Sequence, residues 1–121
     1  MSRGRRPVHT IDDAVPIAKI RGTVQMAEPG PESQYDFTIT GTKPVSFVRV
    51  KYSEHILAVI AEVVRDFADE IIALRSITQD VALSCELWIR SRYGTWRFFR
   101  VFAEDVVEIG RDGKELSEKK G

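Results

Sequence analysis

Three charged residues in the middle of the chain have types and spacing suited to chemistry. Asp36 lies near the start of Tyr35-Asp-Phe-Thr-Ile-Thr40, and Arg49 and Lys51 end the run Val45-Ser-Phe-Val-Arg-Val-Lys51. Side chains alternate along an extended segment, so Arg49 and Lys51 leave the same face, where two cations repel each other unless something negative stands nearby. Asp36 on the neighbouring segment is one such group, and a cross-strand pair with Arg49 would satisfy both charges. A second constellation, Arg90, Arg92, Tyr93, Trp96 and Arg97, crowds a later pair of segments. Arginines contact phosphate and aromatic rings stack on unpaired bases, so this mixture suits a nucleic-acid surface. Two plainer readings stand beside it. Trp96, Phe98 and Phe102 share one face while Arg97, Phe99 and Val101 share the other, so at least one aromatic set is core, and an apolar outer face would suit a homodimer seam.

The elements that must position these residues are read from periodicity. Ile11, Ala14, Val15, Ile17 and Ala18, with Asp12 and Asp13 in front and Gly22 behind, suggest a brief helix over Thr10–Gly22 in which Pro16 is tolerable only near the first turn. Thr23–Met26 reads as a short strand, and Glu28-Pro-Gly-Pro-Glu-Ser33 as a loop. The alternation of Tyr35, Phe37 and Ile39, then of Val45, Phe47, Arg49 and Lys51, predicts two strands joined by a turn at Gly41-Thr-Lys-Pro44. Ser53 is a candidate N-cap for a long helix, because Ile56, Ile60, Val63, Val64, Phe67, Ile71 and Leu74 recur at helical spacing up to Arg75. Its outer face, with Glu62, Arg65, Asp66 and Asp69, reads as solvated surface. Leu83–Arg90 and Trp96–Phe102 are predicted strands around a loop centred on Gly94, and Val106–Ile109 is a last extended piece. The organisation expected is a basic tail over residues 1–9, one α/β domain over 10–109, and a charged tail over 110–121.

At 121 residues the chain suits a single domain that needs no disulfide or structural metal. The lone Cys85 sits in an alternating apolar run and reads as a small hydrophobe, which fits a reducing, cytoplasmic setting. No apolar run approaches the roughly 20 residues that span a bilayer, and Pro7, His9, Asp12 and Asp13 stand where a signal peptide would be hydrophobic. Formal net charge is zero, which excludes a generic polycation. The charge is nonetheless segregated. Between Glu86 and Val101 four arginines face one acid, whereas Glu54 to Asp80 carries six acids against two arginines. His9 and His55 lack partners at zinc-site spacing, and the chain has no glycine-rich phosphate loop.

The order helix, strand, strand, strand, helix, strand, with a further strand appended, places the strand of Glu86 parallel to that of Lys51 in a mixed sheet flanked by helices. With an acid at the mouth of a hairpin, a lysine ending an apolar strand and an amphipathic helix soon after, the stretch Thr10–Phe102 resembles the PD-(D/E)XK, or restriction-endonuclease-like, nuclease superfamily. The resemblance implies a nucleic-acid-binding or nucleic-acid-processing protein acting on DNA or RNA. It implies Asp36 as a ligand of Mg2+ or Mn2+ and Lys51 as the group that positions or activates water. Arg49 stands where the pattern has its second carboxylate, and a guanidinium has no acceptor with which to ligate a cation. Either another acid completes the site, with Glu86, Glu28 and Glu32 as candidates, or the metal chemistry has been lost. The rival class is a non-enzymatic module that uses the aromatic hairpin to dimerise or to dock a protein.

Overall fold

The computed structural model describes residues 7–28, 34–41, 44–54, 59–77 and 82–116, the side chains of 7–9 excepted. The elements are α1 (Pro7–Arg21), β1 (Thr23–Met26), β2 (Phe37–Thr40), β3 (Val45–Ser53), α2 (Ile60–Asp66), α3 (Ala68–Arg75), β4 (Leu83–Ser91), β5 (Trp96–Val101) and β6 (Val106–Ile109). Six strands form one sheet in sequential order, antiparallel throughout except that β3 and β4 run parallel. The expected parallel placement of the Glu86 and Lys51 strands is therefore observed, and the mixed α/β fold with it.

Alternation along the central strands divides the sheet into two cores. Phe37, Ile39, Val48, Val50, Trp88, Phe98 and Ile109 pack on Ala14, Ile17 and Ala18 of α1. On the opposite face Cys85, Leu87, Ile89, Phe99, Val101 and Val106 pack on Val63, Phe67, Ile71 and Leu74 of α2 and α3. Trp88, Phe37, Phe99 and Leu87 are wholly or almost wholly buried. Each such side chain contributes about 1.5–3 kcal/mol before chain entropy is subtracted.

Several boundaries differ from those read in the sequence. Helix α1 begins at Pro7, inside the stretch read as a tail, and continues through Pro16. Proline as first helical residue lacks only an amide that has no intrahelical partner. At Pro16 a hydrogen bond is lost, and the burial of Ala14, Ile17 and Ala18 on the sheet holds the helix through that gap. The expected cap at Ser53 would act on residues 55–58, which lie outside the described residues. Ser53 ends β3 opposite Ser91, and α2 starts at Ile60 with Glu62 reaching back to the Val59 amide. The single long helix is two, because Phe67 leaves helical geometry at φ −120°, ψ 35° while its ring stays in the core. After Ile109 the chain does not fray at once: Glu115 bridges to Ile109, and the Leu116 amide donates to the Glu108 carbonyl at 3.2 Å. Residues 1–6, the interior of the Gly41–Pro44 turn, Glu32, His55, Ile56 and the His9 side chain lie outside the described residues. No helix among the described residues is long and apolar enough to cross a membrane.

Candidate functional site

Side-chain parity decides which charged residues meet. On β3, Ser46, Val48 and Val50 face α1, so Arg49 and Lys51 face the side of α2 and α3. Those helices pack over β4, β5 and β6, leaving Arg49 and Lys51 half-buried at the margin of α3. Asp36 precedes β2 and is held to β3 by its main chain, its amide donating to the Val48 carbonyl at 2.7 Å. Its carboxylate Oδ2 accepts from the Val50 amide at 2.7 Å, and its Oδ1 lies 3.6 Å from Arg49 Nη1. Lys51 Nζ lies 3.3 Å from Oε2 of Glu70 on α3. The structure thus brings Asp36, Arg49, Lys51 and Glu70 into one cluster.

Burial pushes the Asp36 carboxyl above its ordinary pKa, and the Val50 amide and the charges of Arg49 and Lys51 offset only part of that. The Arg49 and Lys51 side chains remain 27% and 29% exposed, within reach of a ligand.

Glu86 does not join this cluster. It pairs in register with Val48, whose side chain faces α1, and lies on the opposite face of the sheet. There it is fully buried. Arg21 grips it with two hydrogen bonds of 2.9 and 3.0 Å, Trp88 Nε1 donates at 2.9 Å, and the Ser46 and Ser84 hydroxyls donate at 2.9 and 2.7 Å. Burial alone would raise its pKa, but Arg21, Trp88 and Ser84 hold the carboxyl below its ordinary value. The expectation that Glu86 supplies a second metal ligand beside Asp36 is corrected by strand parity: neighbouring parallel strands share faces, and Glu86 shares one with Ser46 and Val48 rather than with Lys51. Glu28 is exposed next to Ala27, whose amide donates to the Asp36 carbonyl at 3.0 Å.

Two residues escaped the sequence reading. Glu70 falls three positions after Phe67 and four before Leu74, so an acid at the edge of the apolar stripe was the available signal. Arg21 continues the Ala14, Ile17, Ala18 stripe by the same spacing.

The basic aromatic hairpin is mostly core. Phe98 and Phe99 are buried on opposite faces, and Trp96 stacks on Phe98 at 6.0 Å and meets Trp88 edge-on. Arg97 is clamped by Glu108 at 2.8 and 2.9 Å, and Arg90 lies 3.5 Å from Asp13. At the tip, Ser91 Oγ accepts from the Tyr93 and Thr95 amides, and Gly94 takes φ +84°. Tyr93 is left 70% exposed with Arg92 5.5 Å from its ring. Among the large apolar side chains of the hairpin, the exposed ring is that of Tyr93.

As arranged, the described residues do not fit a divalent cation. Among them no three carboxylate, histidine or cysteine side chains converge. Asp36 and Glu70 each have a basic partner, and the Arg49 guanidinium occupies space that a cation would need.

Among solved structures, the chain is similar to the Holliday junction resolvase Hjc of the archaeon Archaeoglobus fulgidus, with 17% sequence identity and a TM-score of 0.56 over 89% of this chain and 94% of that one. No family model and no curated protein matches the sequence. The likeness speaks for the scaffold: this six-stranded mixed sheet between helices is the restriction-endonuclease-like fold.

Proposed function

We propose that the chain binds nucleic acid at the end of the sheet where β3 and β4 finish, and that Arg49 and Lys51 contact phosphate there without a divalent cation. The parallel register sets Lys51 beside Ile89 and Tyr52 beside Arg90, so the Asp36 cluster and the Arg92–Tyr93 tip belong to the same end of the molecule. Ligands of open sheets bind beyond the carboxyl ends of parallel strands. Cations for phosphate and an exposed ring for a base are the two parts a single-stranded or branched substrate needs. The likeness to a Holliday junction resolvase supports a nucleic-acid partner.

The observation that carries the reading is Arg49 at 3.6 Å from Asp36. It turns the place of a second metal ligand into a site for an anion. Binding to branched, duplex and single-stranded DNA and RNA, followed by anisotropy over a range of salt, tests it. Affinity should fall with salt, and Lys51→Ala should reduce the slope by about one phosphate contact. Incubation with Mg2+ or Mn2+ should leave the strands intact. Cleavage that Glu70→Gln abolishes would instead make Glu70 the replacement carboxylate of a working centre, and the cation-free reading would be withdrawn.

A further inference from the structure

A cavity of about 510 Å3 opens on the α1 face, bounded by the end of α1, Pro44, the start of β4 and the turn after β6. It is on the far side of the sheet from Asp36 and Lys51. Its floor is the Glu86–Arg21 pair, which neutralises itself. Around the rim stand Arg100, Arg111 and Lys114, and among the described residues none of these forms a salt bridge. Arg100 donates to the Leu83 carbonyl at 3.1 Å and lies over the Phe102 ring, and Arg111 lies 5.9 Å from the Phe98 ring. Asp112 is the one rim acid, and its Oδ1 accepts from the Lys114 amide at 3.0 Å. The rim therefore carries an excess of two positive charges. The facing wall is apolar, formed by Ile17 and Ile20, and Ile20 is 87% exposed. An isoleucine so exposed at the mouth of a basic cavity leaves apolar surface for a ligand to cover.

We propose that this cavity binds a nucleotide-sized phosphate monoester, with the phosphate on Arg111, Lys114 and Arg100 and the flat body of the ligand against Ile17 and Ile20. The volume falls within the range of small-molecule pockets. A monoester dianion matches the excess charge, and guanidinium forks suit phosphate oxygens. A free nucleotide and the phosphorylated end of a strand present the same chemistry. The site shares no residue with the Asp36 cluster and stands or falls independently of it.

The test titrates the full chain with adenosine monophosphate, adenosine and inorganic phosphate, followed by amide NMR shifts and calorimetry. Adenosine monophosphate should saturate the site, with shifts clustered at Ile20 and Gly113, and should bind roughly tenfold or more tightly than adenosine or phosphate. The exposed pair Arg111→Glu and Lys114→Glu, introduced together, should weaken it by roughly 100-fold with the melting temperature unchanged. Competition by a 5′-phosphorylated oligonucleotide, but not by its unphosphorylated form, assigns a strand end as the source, and its absence assigns free nucleotide. Failure of the mononucleotide to saturate, equal binding by the double variant, or shifts at Asp36 instead would overturn the site.

Discussion

The two faces of this sheet treat an acid and an arginine in opposite ways. On the α1 face Glu86 has no exposure and meets donors from Arg21, Trp88, Ser46 and Ser84. A carboxylate so fully satisfied has little capacity left for a ligand, and its ion pair acts as a strut between α1 and the sheet. On the α3 face Asp36 and Arg49 approach only to 3.6 Å, and Lys51 and Glu70 to 3.3 Å, with every partner still part-exposed. The proposed phosphate contact would require Arg49 and Lys51 to exchange these carboxylate partners for phosphate oxygens. A buried acid flanked by serines and tryptophan is thus read as structure, and a half-wet cluster at the end of parallel strands as a site.

The comparison breaks most readily at Glu86. Glu86→Ala or Arg21→Ala leaves a buried charge unpaired and should cost about 3–5 kcal/mol in urea unfolding. Replacing both, Arg21→Met with Glu86→Leu, should cost less than either single change, since no charge is then stranded. A double variant whose loss equals the sum of the two single losses would show that Arg21 and Glu86 act independently and that the pair is not a strut.

The next effect comes from the turn that covers the pair. Gly113 has φ +86°, and a Cβ there would lie 2.6 Å from Arg21 Nη2. Gly113→Ala should therefore cost about 1–3 kcal/mol. In the Arg21→Ala background the penalty should shrink to its backbone part, which a double-mutant cycle measures.

At the other end of the molecule, Tyr93→Ala should leave stability within about 0.5 kcal/mol, because the ring touches little of the core. Its affinity for single-stranded nucleic acid should nevertheless fall by about 1–3 kcal/mol in anisotropy titrations. Affinity unchanged by the loss of this ring would remove the hairpin tip from the interface.

The smallest effect sharpens the contrast through pH. Glu86 has a depressed folded-state pKa, so its stabilisation is present above its unfolded value and is lost as pH falls through the folded one. Asp36 has a raised pKa, so its sign is reversed: its contribution is full below the unfolded value and is lost as pH rises through the folded one. Asp36→Asn should leave stability at pH 7 unchanged or slightly higher, whereas Glu86→Gln lowers it and flattens the acid limb of the stability curve. A clear destabilisation by Asp36→Asn would mean that the Asp36–Arg49 pair is structural after all.

Much of the architecture was legible because it follows from local pattern. Alternation of period two in Phe37–Thr40, Val45–Ser53 and Leu83–Ser91 marks strands whatever they pack against. The break at Phe67 was not legible, since the apolar spacing continues across it and only its backbone geometry departs from the helix. The start of α2 at Ile60 was obscured because the apolar spacing begins earlier, at Ile56, within residues 55–58, which lie outside the described residues. For the site, Asp36, Arg49 and Lys51 were found together because a hairpin is a local structure. Glu86 was misassigned because its face depends on the register of a strand more than 30 residues away in sequence.

By itself the amino-acid order determined where the strands run, that Arg49 and Lys51 share a face, and that Arg49 cannot ligate a cation; all three follow from side-chain periodicity and chemistry. Only the tertiary structure decided that Glu70 rather than Glu86 stands beside Lys51, and that Arg21 holds Glu86 on the other side of the sheet. The physical reason is that parity fixes faces within a strand, while register and helix docking, which join distant parts of the chain through burial, choose the groups that meet there.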